Sequence, residues 1–192
     1  MEDKRITRTK RNIKATLTDI LQEMPFEKIS VAEICRRGDI SRITFYAHYE
    51  DKYDLAEEIF SDHVQEAYDK YHALQAENNP GNNGFIGYQN LLEAILSLYY
   101  DNYAFFSHTT SNENPYLFSA YFNRMYVSVD SYLRRHTFLT PLFSFHQTAA
   151  FICNGLFGVI NSCMADHLSE AETRAVLRGM YAVLLNSDMF EK

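Results

Sequence analysis

Apolar residues near the start of the chain recur with the spacing of an amphipathic helix. Within residues 9–24 they follow one another at intervals of one, three or four positions, which places them on one continuous stripe of a helix. They are Ile13, Leu17, Ile20, Leu21 and Met24. Pro25 follows the stripe and ends the helix, because proline removes a hydrogen bond and clashes with the preceding turn. The pattern predicts a first helix over residues 9–24 with one buried face.

Two short helices joined by a glycine-containing turn are predicted next. Ser30 and Glu33 have the spacing of a capping box, in which the hydroxyl and the carboxylate satisfy each other's backbone donors. Gly38 ends this helix, and Ser41 is a preferred N-cap residue for the following one. The pattern therefore predicts a helix-turn-helix.

The second of these helices has an apolar side and a side suited to DNA. Phe45 and Tyr49 stand four residues apart on the buried stripe. The outward and flanking positions are Arg42, Ile43, Thr44, Tyr46, Ala47 and His48. Such residues can contact base edges, thymine methyl groups and phosphate oxygens. No carboxylate interrupts this face before Glu50. The face favours DNA binding, although a solvated helix in an ordinary bundle is the alternative.

The order of residues in and after this helix is specific. Ser41, Thr44, Tyr46, Tyr49 and Lys52 occur in the run ISRITFYAHYEDKYDL. This order resembles the recognition helix of the TetR/AcrR family of bacterial transcriptional regulators, and the similarity covers residues 8–60. A mild departure lies in the turn, where an aspartate, at position 39, replaces the family's usual glycine. Aspartate is among the few residues that tolerate a positive φ.

The resemblance implies an all-α fold in two parts. Residues 1–52 would form a three-helix DNA-binding domain with the helix-turn-helix, and residues 53–192 a helical bundle for effector binding and dimerisation. A dimer would read a near-palindromic operator in double-stranded DNA. Repression relieved by a ligand is the family's commonest behaviour, and activation with protein partners is the other. The expected DNA contacts are Ser30, Ser41, Arg42, Ile43, Thr44, Tyr46, Ala47, His48, Lys52 and Arg8.

Charge is distributed unevenly along the chain. The net charge is −7, but residues 4–52 hold 11 Lys or Arg against 7 Asp or Glu, whereas residues 53–192 hold 7 against 16. The basic part could face DNA while the acidic part discourages indiscriminate binding. Ahead of the first helix, a basic arm is expected to follow phosphates or enter the minor groove, or else to be a solvated terminus. The arm comprises Lys4, Arg5, Arg8, Lys10 and Arg11.

Long helices are predicted for the rest of the chain. The first covers residues 52–77, and its N-terminal amides are expected to clamp a phosphate together with Lys52. Residues 78–84, NNPGNNG, predict a loop. The further predicted helices are residues 91–107, 116–136, 142–166 and 171–186.

Aromatic residues are dense in the second part of the chain. Most are expected in the core, but so many tyrosine hydroxyls need partners, which favours a polar-edged cavity. A small apolar or aromatic effector is therefore expected there, with no cofactor. The residues expected to contact it are Tyr103, Phe106, Phe122, Tyr126, His146 and Asn154. A purely structural role for the histidine and the asparagine is the alternative.

The last two predicted helices carry a candidate dimer interface. Two glycines one turn apart disfavour a helix by about 1 kcal/mol each, so they indicate the close approach of another backbone. In the TetR/AcrR family the final two helices form a two-fold bundle. The expected interface residues are Gly155, Gly158, Val176, Leu177, Met180, Tyr181 and Leu184.

Other classes of function lack their sequence features. No phosphate loop, Glu-x-x-His pair or nucleophile motif occurs, so no enzyme is expected. Cys35, Cys153 and Cys163 lack metal-type spacing and are expected in the core, so no metal site is predicted. No apolar run approaches about 18 residues and the charged N-terminus is unlike a signal peptide, which predicts a cytoplasmic protein without a membrane partner.

A helical protein-interaction module, or a co-activator subunit acting through a protein partner, is the alternative function. Such a module has no DNA affinity of its own. It predicts that changing Arg42 or Tyr46 leaves every interaction of the protein intact, whereas the DNA-binding hypothesis predicts a loss of binding.

Overall fold

Helices form nearly all of the computed structural model, which describes residues 4–106, 114–135 and 140–191. The helices are α1 (Lys4–Leu21), α2 (Val31–Arg37), α3 (Arg42–Tyr46), α4 (Lys52–Asn78), α5 (Gly84–Asp101), α6 (Tyr103–Phe106), α7 (Pro115–Arg135), α8 (Phe145–Ala165) and α9 (Glu170–Leu185). A single 3-10 turn, Phe26–Lys28, follows α1. Two-residue strands, β1 (Thr140–Pro141) and β2 (Phe190–Glu191), pair antiparallel. The predicted all-α fold is confirmed.

Two helix starts differ from the sequence prediction by five residues or more. Helix α1 begins at Lys4 rather than near residue 9, so the predicted basic arm is the first part of the helix. Helix α5 begins at Gly84 rather than at residue 91. The cause is Asn83, whose side-chain oxygen accepts the Ile86 N–H at 3.1 Å and so caps the helix. The predicted loop therefore contains the cap of α5.

Serine caps start the two C-terminal helices. Ser144 accepts the N–H of Gln147 ahead of α8. Ser169 and Glu172 form a complete capping box ahead of α9, with the carboxylate also accepting the Ser169 N–H at 2.8 Å. Both helices begin within three residues of their predicted positions, because side-chain caps fix helix ends locally.

The first of two compact units contains residues from two stretches, Met1–Glu66 and Asp101–Ser119. Its core includes four residues of the predicted stripe, Ile13, Leu17, Ile20 and Leu21, and the buried residues of the helix-turn-helix. Met24 was wrongly placed on this stripe, because α1 ends at Leu21 and Met24 is half-buried in the connection that follows. The N–H of Phe26 donates a hydrogen bond to the side chain of Asn114, and its ring lies 5.7 Å from that of Tyr116. Phe60 packs on Phe106 with 5.7 Å between centroids. The second stretch therefore completes the core of this unit.

The second unit contains Ala67–Tyr100 and Ala120–Lys192. Its core is built from α5, α7, α8 and α9, and it includes Leu92, Leu96, Leu133, Ala149, Cys153, Leu156, Ile160 and Leu177. This division differs from the predicted functional boundary at residue 52, which stays a prediction.

Helix α8 is apolar along most of its length. Among the described residues it alone has the length and composition that could cross a membrane, a test that the core helix of a soluble protein also passes. Thr148, Ala149 and Ile152 are buried inside the second unit. Cys153, also buried, has a pKa raised to about 12 by desolvation, which keeps the thiol protonated and unreactive.

Candidate nucleic-acid interface

Helix α2 is capped by Ser30, as predicted, but the capping box is only half formed. The Ser30 hydroxyl accepts the N–H of Glu33 at 3.2 Å. The Glu33 carboxylate instead accepts hydrogen bonds from Arg36 at 2.6 Å and Arg37 at 2.8 Å. These bonds lower the pKa of Glu33 to about 2. The predicted reciprocal bond was wrong because two arginines one turn further on compete for the carboxylate.

The turn between α2 and α3 is fixed against α1. Asp39 has a φ of 49°, the left-handed conformation that aspartate was expected to tolerate at this position. Gly38 has an ordinary negative φ, but a Cβ there would lie 3.1 Å from both the Ile34 carbonyl oxygen and the Thr16 hydroxyl. Its carbonyl accepts the side-chain amide of Asn12 at 2.7 Å. A side chain here would require these neighbours to move by a few tenths of an ångström, so the packing favours glycine.

Helix α3 presents the predicted face to solvent. Phe45 and Tyr49 are buried, at 0% and 2% exposure, and they anchor the element on the core of its unit. Arg42 and Ala47 are exposed, as are two large side chains, Ile43 at 84% and Tyr46 at 57%. An isoleucine so exposed has no packing role in this unit, so the face is available to a partner.

Three polar side chains of the predicted face, Ser41, Thr44 and His48, have contacts within the helix-turn-helix. Ser41 accepts the N–H of Thr44 at 3.0 Å, and the two hydroxyl oxygens lie 2.9 Å apart. His48 is half-buried, with its ring 6.5 Å from that of Tyr49. Ser30 and Ser41 are thus helix caps, and any contact of these side chains with DNA stays a prediction.

The side chain of Lys52 is hydrogen-bonded to the backbone of the segment between α1 and α2. Its ammonium group donates to the backbone carbonyls of Phe26 at 2.7 Å, Ile29 at 2.9 Å and Glu27 at 3.1 Å. It also lies 4.6 Å from the centroid of the Phe26 ring. Burial lowers the pKa of Lys52. Because an ammonium has three donors, a phosphate contact would require it to release at least one of these carbonyls.

The N-terminus of α4, predicted to clamp a phosphate, is capped by the protein itself. The carboxylate of Asp51 accepts the N–H of Tyr53 at 2.8 Å and of Asp54 at 2.9 Å. The Asp54 carboxylate in turn accepts the Glu50 N–H at 3.0 Å. The prediction of a phosphate clamp assumed that these amides have no partner in the protein, and this assumption was wrong. The cap could have been predicted from the sequence, because Asp51 is an aspartate directly before a helix.

The predicted basic arm is divided between two roles. Lys10 and Lys14 form ion pairs with Glu58 of α4, at 3.0 and 2.8 Å, and Lys14 also pairs with Asp62. These lysines join α1 to α4. Arg8 is exposed in the first turns of α1. The arm is therefore helical, and Lys10 is drawn towards α4.

The predicted effector residues are divided between the two units. In the first unit, Tyr103 is 47% exposed and Phe106 is buried. In the second, the Tyr126 hydroxyl is hydrogen-bonded to Nδ1 of His146. Phe122 stacks beside Tyr126, with 6.5 Å between centroids. Asn154 is exposed and donates to the carbonyl of Ala150 on its own helix. Of the six predicted residues, only Phe122, Tyr126 and His146 are brought together, and their role stays a prediction.

The predicted dimer residues surround an apolar groove between α8 and α9. Five of them line this groove of about 320 Å³: Gly155, Leu177, Met180, Tyr181 and Leu184. Gly158 and Val176 are exposed. A Cβ at either predicted glycine, or at Gly179, would meet nothing within 4 Å. Sequence reasoning missed Phe151 and Val183, which line the groove at 60% and 73% exposure.

No protein-family model and no curated protein sequence matches the chain, but solved structures do. A transcriptional regulator of the TetR/AcrR family from Aquifex aeolicus VF5 is similar with a TM-score of 0.60 and 17% identity, over 92% of this chain and 99% of its own. The dihydroxyacetone kinase operon activator DhaS has a TM-score of 0.56 and 18% identity, over 96% and 98% of the chains.

A third similar structure comes from Clostridium perfringens and is described as a fatty acid metabolism regulator. It has a TM-score of 0.61 and 13% identity, over 86% of this chain and 94% of its own. The chain therefore has the all-helical fold of TetR/AcrR-type transcriptional regulators.

Proposed function

We propose that the protein is a homodimeric, sequence-specific DNA-binding transcriptional regulator. The observation that carries the proposal is the exposed face of α3, where Arg42, Ile43, Tyr46 and Ala47 lie together on a helix whose opposite side is buried. The face has no carboxylate, and the helix is held by its packing on the core and by the adjoining turn that is fixed to α1. A rigid, outward-facing helix of this composition suits the major groove.

The side chains of this face divide into two kinds of contact. Arg42 reads base edges, with Ile43 and Ala47 against thymine methyl groups. Tyr46 and Arg8 contact phosphate oxygens, which set affinity but carry no sequence information. Ser30, Ser41, Thr44 and His48 support the face or contact the backbone beside it. Lys52 acts by holding the entry to α2, through its three carbonyl partners.

The groove between α8 and α9 supports dimerisation. Exposed Phe151, Met180 and Val183 surround it, and the exposed helical glycines leave room for a second backbone. A two-fold dimer places two α3 helices in successive major grooves, about 34–36 Å apart, and so reads a near-palindromic operator.

The second unit is proposed to hold a small apolar or aromatic effector beside Phe122, Tyr126 and His146. An effector that binds one arrangement of the dimer more tightly than the other changes DNA affinity by that difference. Repression relieved by ligand is the first hypothesis. The similar structures include an operon activator, so activation is the second. The site of action is cytoplasmic.

The experiment that tests the proposal is selection of bound duplexes from a random DNA pool. We expect one enriched near-palindrome. Arg42→Ala should weaken binding by about 1–3 kcal/mol and relax preference at one base pair per half-site, whereas Tyr46→Phe should weaken binding similarly across sequences. Arg135→Ala, which removes an exposed charge from α7, is the matched control and should bind as the wild type does. Folded protein that enriches no sequence would instead support the protein-interaction module.

A further inference from the structure

A second cleft in the second unit shares Tyr181 with the groove but is otherwise separate from it and from the predicted effector site. It has a volume of about 530 Å³ and is lined by residues of α4, α5 and α9. Its walls combine amide groups of Asn78, Gln89 and Asn90 with the apolar side chains of Leu74 and Leu92. A cleft with both kinds of wall suits a small molecule with an apolar body and a polar end.

The charge of this cleft is opposite to that of the surrounding sequence. Residues 53–192 hold 7 basic against 16 acidic residues, yet three of those seven, Lys70, Arg174 and Arg178, line this cleft. Glu93 is the acidic residue among its lining residues. Glu170 also pairs with Arg174, at 2.7 Å. The cleft is therefore locally positive, which favours an anion.

The two arginines are held in place by Glu93. Its carboxylate accepts from Arg178 Nε at 2.5 Å and from a terminal nitrogen of Arg174 at 3.2 Å. Burial would raise the pKa of Glu93, but the two arginines outweigh it and keep that pKa below its usual value. Arg174 also lies over the Tyr100 ring at 5.4 Å. The Arg178 side chain is 59% exposed, so the rest of its guanidinium faces solvent in a fixed orientation.

The hydroxyl of Tyr181 lies beneath this lining and is not part of it. Tyr181 is 4% exposed, and its hydroxyl oxygen is fully buried and has no hydrogen-bond partner within the described part of the chain. Desolvation raises the pKa of Tyr181, so the group stays a neutral O–H. A molecule in the cleft therefore does not contact this hydroxyl in the present arrangement.

We propose that this cleft binds a small organic anion, with its carboxylate or phosphate at Arg178 and its apolar body along Leu74 and Leu92. The amide wall is already ordered, since Asn90 is hydrogen-bonded to Asn78 at 2.8 Å and to Gln75 at 2.6 Å. The occupant would join α4 to α9. Helix α4 starts at Lys52, which is bonded to the connection before α2, so an anion that binds α4 would act as an effector. This role rests on the proposed function.

Calorimetric titration of the full-length, DNA-free protein tests the site with benzoate, phenyl phosphate and the neutral benzamide at millimolar concentrations. We expect at least one anion to bind and benzamide not to bind. Comparison of the two anions identifies the preferred charged group. Arg178→Ala should weaken binding about tenfold or more, because it removes a charge-assisted contact.

Tyr181→Phe is a control for the packing beneath the cleft. It should leave anion affinity within about twofold of the wild type while thermal stability stays the same or rises, because only an unpaired, fully buried hydroxyl is removed. Arg135→Ala should bind as the wild type does. No binding of either anion, equal binding of benzamide, or unchanged affinity in Arg178→Ala would overturn the proposal. The titration contains no DNA, so its failure is distinct from failure of the DNA-binding proposal.

Discussion

The ammonium group of Lys52 ties the start of α4 to the connection between α1 and α2. It donates to three backbone carbonyls, at positions 26, 27 and 29. Hydrogen bonds from a charged donor are among the stronger ones in proteins, and a partly buried carbonyl that loses its donor is costly. In the proposed DNA-binding function, Lys52 would therefore act indirectly, through the position of the helix-turn-helix.

Lys52→Met should lower the free energy of unfolding by about 2–3 kcal/mol, because the carbonyl partners are lost while the apolar stem is retained. Urea denaturation measures the change. Lys28→Met, at an exposed lysine in the adjoining 3-10 turn, should change stability by less than about 0.5 kcal/mol. Wild-type stability with weakened DNA binding in Lys52→Met would instead assign the ammonium to a phosphate contact.

At the scale of elements, the turn between α2 and α3 determines how the recognition helix is presented. Asp39 supplies a left-handed residue and Gly38 supplies space against Thr16 and Ile34. The two adjacent positions therefore have different requirements, one for backbone conformation and one for side-chain volume.

Asp39→Gly should leave the free energy of unfolding within about 0.5 kcal/mol of the wild type, since glycine adopts a positive φ without strain. Asp39→Val should lower it by about 1–2 kcal/mol, because a β-branched residue is strained in the left-handed region. Chemical denaturation of both variants measures the difference, with the glycine variant as the control. Equal stability of the two would contradict a conformational requirement at this position.

The same elements show how far sequence reasoning reaches. The buried positions of Phe45 and Tyr49 and the exposed face of α3 follow from helical periodicity, and the structure confirms them. The partners of Lys52 could not be predicted, because they lie 23 to 26 residues away and depend on tertiary packing. The start of α1 was also missed, since its first turns have no apolar stripe to indicate a helix.

Helical periodicity predicts which face of a helix a residue occupies, but it does not predict how deeply the side chain is buried. Tyr181 was expected at the dimer interface with Met180, but it is 4% exposed whereas Met180 is 55% exposed. Val183 lies seven residues after Val176, on the same face of α9, so the spacing could have identified it. Which apolar residues of a helix are left uncovered depends on the neighbouring helices, and a single sequence does not specify that packing.

For the whole molecule, the groove between α8 and α9 is the proposed dimer interface, which would set the spacing of the DNA-binding faces. Val183→Glu should convert the dimer to a monomer in light scattering coupled to size-exclusion chromatography. The reason is that a carboxylate would be buried without a partner at the centre of an apolar interface. Binding to a palindromic duplex should then weaken strongly, because each monomer contacts one half-site.

Val127→Glu is the matched control for this experiment. Val127 is a similarly exposed valine, at 60%, on α7 and outside the groove. It should leave the dimer intact. Monomers in both variants, or dimers in both, would show that the α8–α9 groove is not the interface.

The first unit is discontinuous in sequence, which limits how the protein can be recombined. Phe26, in the middle of the helix-turn-helix domain, relies on Asn114 and Tyr116, and Phe60 relies on Phe106. A chimaera that exchanged only residues 1–52 would separate the recognition helix from part of its own core. Residues 1–52 are therefore not an independently transferable domain. Exchanging DNA specificity between regulators of this fold would require either grafting the exposed residues of α3 or transferring both stretches of the first unit together.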